Sequence, residues 1–503
     1  MHVHSEHMKI HLNQFQVIDQ SLQKCDIITK AIDRYSSRMF TQDCSKINPK
    51  LGNNPIEYTD EVEQPVGNLT KLILKNNGHC EKYPQLTMKE DYTIVVNKDG
   101  AEIISTSVWG ILRGLETFSQ LVEPVSKNSF RIPIVSIQDF PRFAHRGLLI
   151  DSSRHFLSLQ SIYDTIDAME MNKMNVLHWH IVDDQAFPYV SEKFPKMSEK
   201  GSFNPRTHVY TQKDVQDIIE YSRERGVRVL SEFDTPGHVR SWGNSNENLL
   251  TKCYDDNGKP NGKFGPIDPI KEENYHFMKE FFEEISEKFP DQYLHLGGDE
   301  VPFGCWQSNP EIKHFMLIKN ITRFEDLESF YVQKLLNIVK DLKRSYIVWQ
   351  EVFDNNVKIA PDTVVHVWKG HTLTWQSELA NVTANFHALL SSPWYLNYIQ
   401  YGNDWENFYE VEPLSFKGTL EQKKLVLGGE ACMWGEWVDS SNLISRTWPR
   451  ASAVAERLWS SEKVSKADNA RFRIHSQHCR MQKLGIKGEP ITGPGHCSCD
   501  YAL

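Results

Sequence analysis

Two adjacent acidic residues, Asp299 and Glu300, follow a short apolar segment and two glycines in the sequence Tyr-Leu-His-Leu-Gly-Gly-Asp-Glu. The glycines let the backbone turn sharply and leave room for another group to approach closely. Neighbouring carboxyls oppose each other's ionisation, so the pKa of one is expected to rise. A proton donor beside a fixed negative charge suits the cleavage of a glycosidic bond. Such a pair by itself is more often a solvated loop end, so the hypothesis depends on the rest of the chain.

Eight short apolar segments separated by helical patterns predict a (β/α)8 TIM barrel in the larger, carboxy-terminal part of the chain. The predicted strands are 147–150, 176–181, 227–233, 293–297, 346–350, 364–368, 387–391 and 425–429. Their number, and a span longer than the ~250 residues typical of the fold, favour the barrel. A doubly wound open sheet is the alternative, but no G-x-G-x-x-G motif follows the first strand.

The length of 503 residues favours two domains. Residues 1–141 mix element types and predict a small α+β domain, and residues 142–503 predict the catalytic barrel with a carboxy-terminal extension. The elements predicted in the first domain are helices at 25–40 and 108–122 and a hairpin of strands at 92–96 and 101–105. We place the boundary after Asp139-Phe140-Pro141, because proline disfavours helical geometry in the preceding residue.

Polar and aromatic side chains follow each predicted strand, where a barrel carries its active site. They are Asp151, Arg154, Asp183, Asp184, Asp234, His238, Asp299, Glu300, Trp349, Gln350, Glu351, Trp368, Trp394, Tyr395, Glu430, Trp434 and Glu436. The C–H faces of a sugar ring stack on aromatic rings, and its hydroxyls bond to acids and arginine. This set therefore predicts a carbohydrate site.

Other chemistries are less well supported. The histidines are dispersed without H-E-x-x-H spacing; His178 and His180 would point the same way from a strand, but satisfied core histidines are the better interpretation than a metal pair. No G-x-S-x-G nucleophile motif occurs. The net charge of −10 argues against nucleic acid or an anionic membrane as the main partner. The sequence contains no uncharged apolar stretch of about 18 residues, the length that would indicate a membrane-spanning helix.

Several stretches resemble the family 20 glycoside hydrolases, and in particular the animal lysosomal β-N-acetylhexosaminidase chains of that family. They are residues 147–155 (GLLIDSSRH), 176–180 (VLHWH), 232–238 (EFDTPGH), 295–300 (HLGGDE), 349–353 (WQEVF), 394–397 (WYLN) and 428–436 (GGEACMWGE). The resemblance covers nearly the whole chain, and it implies an exo-acting enzyme that releases terminal β-linked GlcNAc or GalNAc.

The resemblance implies a retaining mechanism in which the 2-acetamido oxygen of the substrate is the nucleophile. Glu300 would protonate the leaving oxygen, Asp299 would orient the acetamido nitrogen, and Tyr395 would hold the acetamido carbonyl. The residues implied to bind substrate are Trp349, Trp368 and Trp434 around the acetamido pocket, Arg154 and Glu436 at ring hydroxyls, and Asp183, His238, Trp394 and Asn397. It implies neither a metal nor a cofactor.

The family pattern also implies three disulfides, Cys25–Cys80, Cys253–Cys305 and Cys479–Cys497, and leaves Cys44, Cys432 and Cys499 outside it. The start of the chain lacks a signal-peptide pattern, but three disulfides imply an oxidising route, so we expect a lysosomal or secreted protein. The chain is expected to begin inside the amino-terminal domain, which leaves the first strand of that domain in doubt. Glycosylation sequons begin at Asn68, Asn320 and Asn381.

Family members commonly form dimers in which the neighbouring chain completes the site, so we expect a homodimer. Two other functions are alternatives on this scaffold. A non-catalytic glycan-binding protein on the same scaffold would have lost the acid, whereas Glu300 is present. An endo-acting, chitinase-like hydrolase needs an open groove, whereas the aromatics and Arg154 suggest a closed pocket for a terminal sugar.

Overall fold

A computed structural model describes residues 2–41, 44, 64–126, 128–370, 374–398, 400, 402–491 and 493–500. The chain begins with a seven-stranded mixed sheet. Its strands are β1 (His2–His11), β2 (Gln16–Asp19), β3 (Lys71–Asn76), β4 (Tyr92–Asn97), β5 (Gly100–Ser105), β6 (Glu123–Ser126) and β7 (Ser129–Asp139). The strand order is β1-β7-β4-β5-β3-β2, and β6 also pairs with β7. Strand β1, which the sequence left in doubt, pairs antiparallel with β7.

Two helices pack on this sheet, α1 (Asp26–Met39) and α2 (Val108–Leu121). Helix α2 begins at Ser107, whose hydroxyl caps the free amide of Trp109. Its apolar side chains, including Trp109 and Leu115, join one buried cluster with those of α1 and the strands. This is the predicted small α+β domain.

The eight predicted strands form a closed parallel barrel. They are β8 (His145–Asp151), β9 (Val176–Val182), β10 (Arg228–Phe233), β13 (Tyr293–His295), β14 (Ser345–Trp349), β15 (Val364–Val367), β16 (His387–Leu390) and β17 (Val426–Met433), with a separate hairpin of β11 (Leu250–Tyr254) and β12 (Pro260–Ile267). Strands β8 and β9 are buried at every position. A barrel strand is covered by helices outside and side chains inside, which explains the continuous apolar patterns.

Helices surround the barrel and follow its strands. They are Leu159–Met171, Lys196–Gly201, Gln212–Arg223, Arg240–Gly243, Glu272–Lys288, Gly304–Ser308, Pro310–Lys319, Phe324–Asp341, Gln350–Asp354, Trp375–Val382, Trp405–Glu410, Leu420–Lys424, Leu443–Thr447, Arg450–Trp459 and Ala467–Lys483. Their starts carry local signals: Thr211 and Asp214, for example, form a capping box at the start of Gln212–Arg223. None of the described helices is long and apolar enough to cross a membrane.

The sheet domain contacts the barrel at the amino-terminal ends of its strands. Glu90 accepts hydrogen bonds from Arg113 at 2.8 Å and from Arg146, near the start of β8, at 2.6 Å. It also accepts one from Asn175, directly before β9. All four side chains are buried. This contact occupies the face opposite the carboxyl ends of the strands and leaves those ends open for a site.

Four disulfides cross-link the described chain. Three are the predicted pairs Cys25–Cys80, Cys253–Cys305 and Cys479–Cys497. The fourth joins Cys44 to Cys499, two cysteines that lie outside the three pairs of the family pattern. They are 455 residues apart, and only the fold brings them together. Cys432 is a free, buried thiol on β17.

Candidate active site

The acid pair follows β13 after a turn that contains Gly297 and Gly298. Gly297 and Gly298 have φ values of +67° and +99°. A β-carbon at Gly297 would lie 1.7 Å from Oδ1 of Asp234, and the amide of Gly298 donates to that oxygen at 2.8 Å. Glu300 itself has a φ of +50°, a left-handed conformation that costs energy for a residue with a side chain. The turn leaves Asp299 13% exposed and Glu300 61% exposed.

His238 links the two acids to the barrel. Its Nε2 lies 3.7 Å from Oδ2 of Asp299 and 3.8 Å from Oε2 of Glu300. Its Nδ1 lies 3.2 Å from Oδ1 of Asp183. Burial disfavours the charged ring, but the hydrogen bond to Asp183 and the charge of Asp299 raise the pKa of His238 to about 11. A protonated imidazole therefore lies beside both acidic side chains at neutral pH.

Further hydrogen-bonding contacts connect Asp183 to the interior of the barrel. Oδ2 of Asp183 lies 2.8 Å from Nε2 of His180, whose Nδ1 lies 2.6 Å from Oε2 of Glu232. Asp183 was predicted to bind substrate, but its side chain is fully buried, and it instead bonds His180, His238 and Arg154. Its position indicates that it orients other side chains.

A second group of histidines and carboxylates fills the barrel interior. His178 lies between Glu430 at 2.7 Å and Glu232 at 3.0 Å. Despite burial, the charge of Glu430 and the bond to Glu232 raise the pKa of His178 to about 9. Glu430 was expected to follow the eighth strand, but it lies within β17 and also bonds His145 at 2.6 Å. It is a buried core residue and does not face the mouth.

Among the described residues, four groups bring potential metal-ligating atoms within 4.8 Å of one another, and two of these groups contain disulfide-bonded cysteines. The other two groups consist of histidines and carboxylates. They are His178, His295 and His366 in the barrel interior, and Asp234, His238 and Asp299 at the site. Both ring nitrogens of His178 are within hydrogen-bonding distance of carboxylates. This arrangement agrees with the interpretation of His178 as a satisfied core histidine.

An aromatic cluster lies beside the acid pair. It contains Trp349, Tyr395, Trp434 and Trp368, with Leu149 and Cys432. The rings of Tyr395 and Trp368 stack with centroids 6.4 Å apart, and Trp434 lies 6.0 Å from Trp349. Trp349 is nearly fully buried, and its indole N–H donates to Glu232 at 2.7 Å. Burial raises the pKa of the Tyr395 phenol, which therefore keeps its proton as a hydrogen-bond donor.

Trp394, predicted among the substrate-binding aromatics, is a core residue. Its side chain is fully buried, its indole N–H donates to the carbonyl of Phe408, and a β-carbon at Gly429 would lie 2.5 Å from its ring. Trp394 ends the short 3₁₀ helix Ser392–Trp394 that follows β16, and its ring packs in the main core, whereas the ring of the adjacent Tyr395 lies in the aromatic cluster.

The polar residues of the mouth surround the same cluster. Arg154 donates to Asp151 at 2.9 Å, pairs with Asp183 at 2.8 Å, and lies 5.1 Å from the centre of the Trp434 ring. Glu436 is exposed after β17. In the described part of the chain, the buried Oδ1 of Asn397 has no hydrogen-bond partner and can accept one from a ligand.

Two carboxyls near Asp299 were not assigned roles from the sequence. Burial, and then the charge of Asp299, raise the pKa of Asp234 well above its usual range. The same two causes raise the pKa of Glu351 to about 7, and Glu351 accepts the indole N–H of Trp368 at 2.8 Å. Both raised pKa values result from burial in the fold and from the charge of Asp299, so the spacing of residues in the sequence did not predict them.

The three sequon asparagines, Asn68, Asn320 and Asn381, are all exposed. Exposure is a requirement for an acceptor of N-linked glycan. Glycosylation of these residues stays a prediction.

The chain matches two family models. Residues 143–462 match the model described as glycosyl hydrolase family 20, catalytic domain. Residues 1–121 match the model described as beta-acetyl hexosaminidase like. The two matches correspond to the barrel and to the sheet domain.

Curated relatives and a solved structure are similar over nearly the same extent. The chain is 50% identical to beta-hexosaminidase subunit alpha of Rattus norvegicus over 479 residues, which is 95% of this chain and 89% of the relative. It is 49% identical to beta-hexosaminidase subunit beta of Homo sapiens over 478 residues, 94% of this chain and 83% of the relative. The chitobiase structure from Flavobacterium johnsoniae is 29% identical, with a TM-score of 0.81 over 96% of this chain and 72% of that chain.

Proposed function

The chain belongs to glycosyl hydrolase family 20 and is an exo-acting β-N-acetylhexosaminidase, and from that premise we propose how its side chains release a terminal N-acetylhexosamine. The observation that carries the mechanism is the approach of Asp299 and Glu300 to one nitrogen of His238, at 3.7 and 3.8 Å, beside the aromatic cluster. Both carboxylates therefore lie on one side of the site. A mechanism with a carboxylate on each face of the sugar does not fit that arrangement.

Glu300 is the general acid and then the general base. It is the exposed member of the pair, so it can reach the glycosidic oxygen and later a water molecule. Protonated His238 holds the other member of the pair, the carboxylate of Asp299, in place.

The nucleophile in this proposal is the 2-acetamido oxygen of the substrate. Asp299 accepts the acetamido N–H and offsets the positive charge of the cyclic oxazolinium intermediate. The phenol of Tyr395, kept protonated by burial, donates to the acetamido carbonyl. Asp234, with its raised pKa, is a proton-bearing neighbour that can donate to Asp299 and fix its orientation.

Recognition of the sugar uses the remaining residues of the mouth. Trp368, Trp434 and the deeper Trp349 enclose the acetamido group, and Arg154, Glu436 and Asn397 bond ring hydroxyls. Both GlcNAc and GalNAc are proposed substrates. A non-catalytic glycan-binding function is not favoured, because the acid is present and exposed at the mouth.

Two further proposals concern the setting of the enzyme. Four disulfides favour a lysosomal or secreted location, because disulfides persist in oxidising compartments. We also propose a homodimer, on the basis of the family resemblance; sedimentation of the purified protein tests it directly.

The function is tested with matched aryl glycosides. The protein should hydrolyse aryl N-acetyl-β-glucosaminide and be inhibited strongly by a thiazoline mimic of the cyclic intermediate. An aryl β-glucoside, which lacks the acetamido group, should be cleaved far more slowly. Equal rates on the two glycosides would refute the substrate-assisted mechanism.

A further inference from the structure

A second cavity, of about 810 Å³, lies where the sheet domain, the barrel and the last helix, Ala467–Lys483, meet. We propose that this cavity binds a small amphiphile with one negative charge, such as a carboxylate on an apolar chain. The carboxylate binds at Arg480, and the apolar chain extends toward Phe472. This ligand is distinct from the sugar substrate, and the site does not depend on the proposed function.

The cavity lies at the opposite end of the barrel from the acid pair. Asn172 and Lys173 line it, and both come shortly before β9 in the sequence. Trp459 also lines it, and the carbonyl of Trp459 accepts the amide of Arg142, shortly before β8. These contacts lie at the amino-terminal ends of strands, whereas Glu300 follows the carboxyl end of β13. A ligand can therefore occupy this cavity while the catalytic mouth holds a substrate.

The cavity has the size and the apolar walls of a small-molecule site. Its volume lies within the ~300–1,000 Å³ of pockets that bury small ligands between mostly apolar side chains and a few polar groups. The buried side chains of Ile137, Met171, Trp459 and Ile474 form part of its lining. Phe472 also lines it although its side chain is 79% exposed, so this ring lies at the opening. An apolar ligand body would remove the ring of Phe472 from water.

Most of the charges in the walls cancel in pairs. In the described part of the chain, five charged side chains line the cavity, and four of them form two ion pairs. Lys173 lies 3.2 Å from Asp139, and Arg473 lies 2.5 Å from Glu456. Because these pairs add no net charge, the fifth side chain, Arg480, makes the lining positive.

Arg480 also has hydrogen-bond donors left for a ligand. One terminal nitrogen donates to Glu116 at 2.7 Å, and the other donates to the hydroxyl of Ser119 at 2.7 Å. Glu116 is fully buried and does not line the cavity, so a ligand meets the guanidinium and not its carboxylate partner. A guanidinium carries five N–H groups, and the remaining ones can donate to a carboxylate in charge-assisted hydrogen bonds. The exposed hydroxyl of Ser476, four residues earlier on the same helix face, is a further donor in the lining.

The last helix sets the length of the ligand. Arg473 and Arg480 lie on one face of this helix, seven residues and therefore about 10 Å apart. Phe472 is adjacent to Arg473, at the far end of the cavity from Arg480. A carboxylate at Arg480 with an extended apolar chain of about 10 Å thus reaches the exposed ring.

The test is calorimetric titration of the unmodified, full chain with octanoate and with 1-octanol, which carries the same chain without the charge. Octanoate should bind saturably at a single site and roughly tenfold more tightly than 1-octanol, because charge-assisted hydrogen bonds are stronger than neutral ones. Bound octanoate should raise the melting temperature. A saturating thiazoline mimic of the cyclic intermediate should not displace octanoate, because the mimic occupies the catalytic mouth.

Two matched variants locate the site on the last helix. Ser476→Trp adds an indole to an exposed position of the lining and should weaken octanoate binding by roughly tenfold or more. Asn469→Trp makes the same addition at an exposed position of the same helix outside the lining, and it should leave binding unchanged. Arg480→Gln should abolish the preference for octanoate while 1-octanol still binds, a result that a misfolded variant would not give.

Four results would overturn the proposal. They are absence of saturable octanoate binding, displacement of octanoate by the thiazoline mimic, unchanged binding in Ser476→Trp, and equal affinity of the unmodified protein for octanoate and 1-octanol.

Discussion

Oδ1 of Asp183 lies 3.2 Å from Nδ1 of His238, and this contact connects the barrel interior to the catalytic mouth. Asp183 also bonds His180, which in turn bonds Glu232. The chain of alternating carboxylates and imidazoles holds His238 in its charged form and in one orientation. The charge and the orientation of His238 determine how its Nε2 contacts Asp299 and Glu300.

Asp183→Asn should move the alkaline limb of the kcat/KM profile to lower pH, because the neutral amide no longer supports the cation of His238. The pKa of His238 is raised from 6.5 to about 11. The ion pairs of the protonated ring therefore stabilise the folded protein fully below pH 6.5, and this stabilisation is lost as the pH rises toward 11. A pH–rate series on an aryl N-acetyl-β-glucosaminide measures the shift. Asp217→Asn, at an exposed carboxylate paired with Lys213, is the control. A simple loss of folded protein would lower the rate without moving the limb.

Glu300→Gln should reduce turnover by at least the ~10²-fold typical of general acid catalysis, because the amide keeps the size of the side chain but cannot donate the proton. The loss should be smaller for substrates whose leaving groups need little protonation. Measuring kcat/KM across aryl glycosides of graded leaving-group pKa checks this. Equal losses across the series would contradict the role of Glu300 as the acid.

Asp299→Asn should lower kcat more than it raises KM. The positive charge that Asp299 offsets develops mainly near the transition state, so the loss belongs to transition-state stabilisation. Steady-state kinetics with one substrate separates the two constants. A rise in KM with unchanged kcat would show instead that Asp299 only binds the ground state.

The unmodified protein should prefer neutral over 6-sulfated N-acetylglucosaminides, and Tyr398→Arg should narrow that preference. Tyr398 is 47% exposed, and its pKa is raised by partial burial and by the charges of Glu436 and Glu300. A phenol beside two carboxylates offers no formal positive charge to a sulfate, whereas charge-assisted pairs are about twice as strong as neutral ones. Comparing kcat/KM for both substrates in both proteins is the measurement. Equal or faster cleavage of the sulfated substrate by the unmodified protein would overturn this prediction.

The barrel and the acid pair were predictable because their signals are local. Buried parallel strands are continuously apolar, and the glycine-glycine-acid-acid sequence marks a strand that ends at a site. The end of the last strand was not predictable, because β17 continues through Glu430, whose side chain lies in the barrel interior. In the sequence Glu430 resembles a residue of the mouth, but its carboxylate bonds histidines of other strands.

Three other features depend on contacts distant in sequence. The Cys44–Cys499 disulfide joins the two ends of the chain. Trp394 is buried against Gly429 and Phe408, although its neighbour Tyr395 lies in the aromatic cluster. The raised pKa values of Asp234 and Glu351 arise from burial and the charge of Asp299. These contacts join residues that are far apart in the sequence, so spacing along the chain does not predict them.

Substrate assistance is tested by replacing the acetamido methyl group of an aryl N-acetyl-β-glucosaminide with mono-, di- and trifluoromethyl groups. Fluorine withdraws electrons from the carbonyl oxygen that we propose as the nucleophile, while it leaves the glycosidic bond and the leaving group unchanged. We expect a steep, progressive fall in kcat/KM along the series, with retention of anomeric configuration in the product. A rate that does not respond to fluorine, or inversion of configuration, would show that the substrate does not supply its own nucleophile.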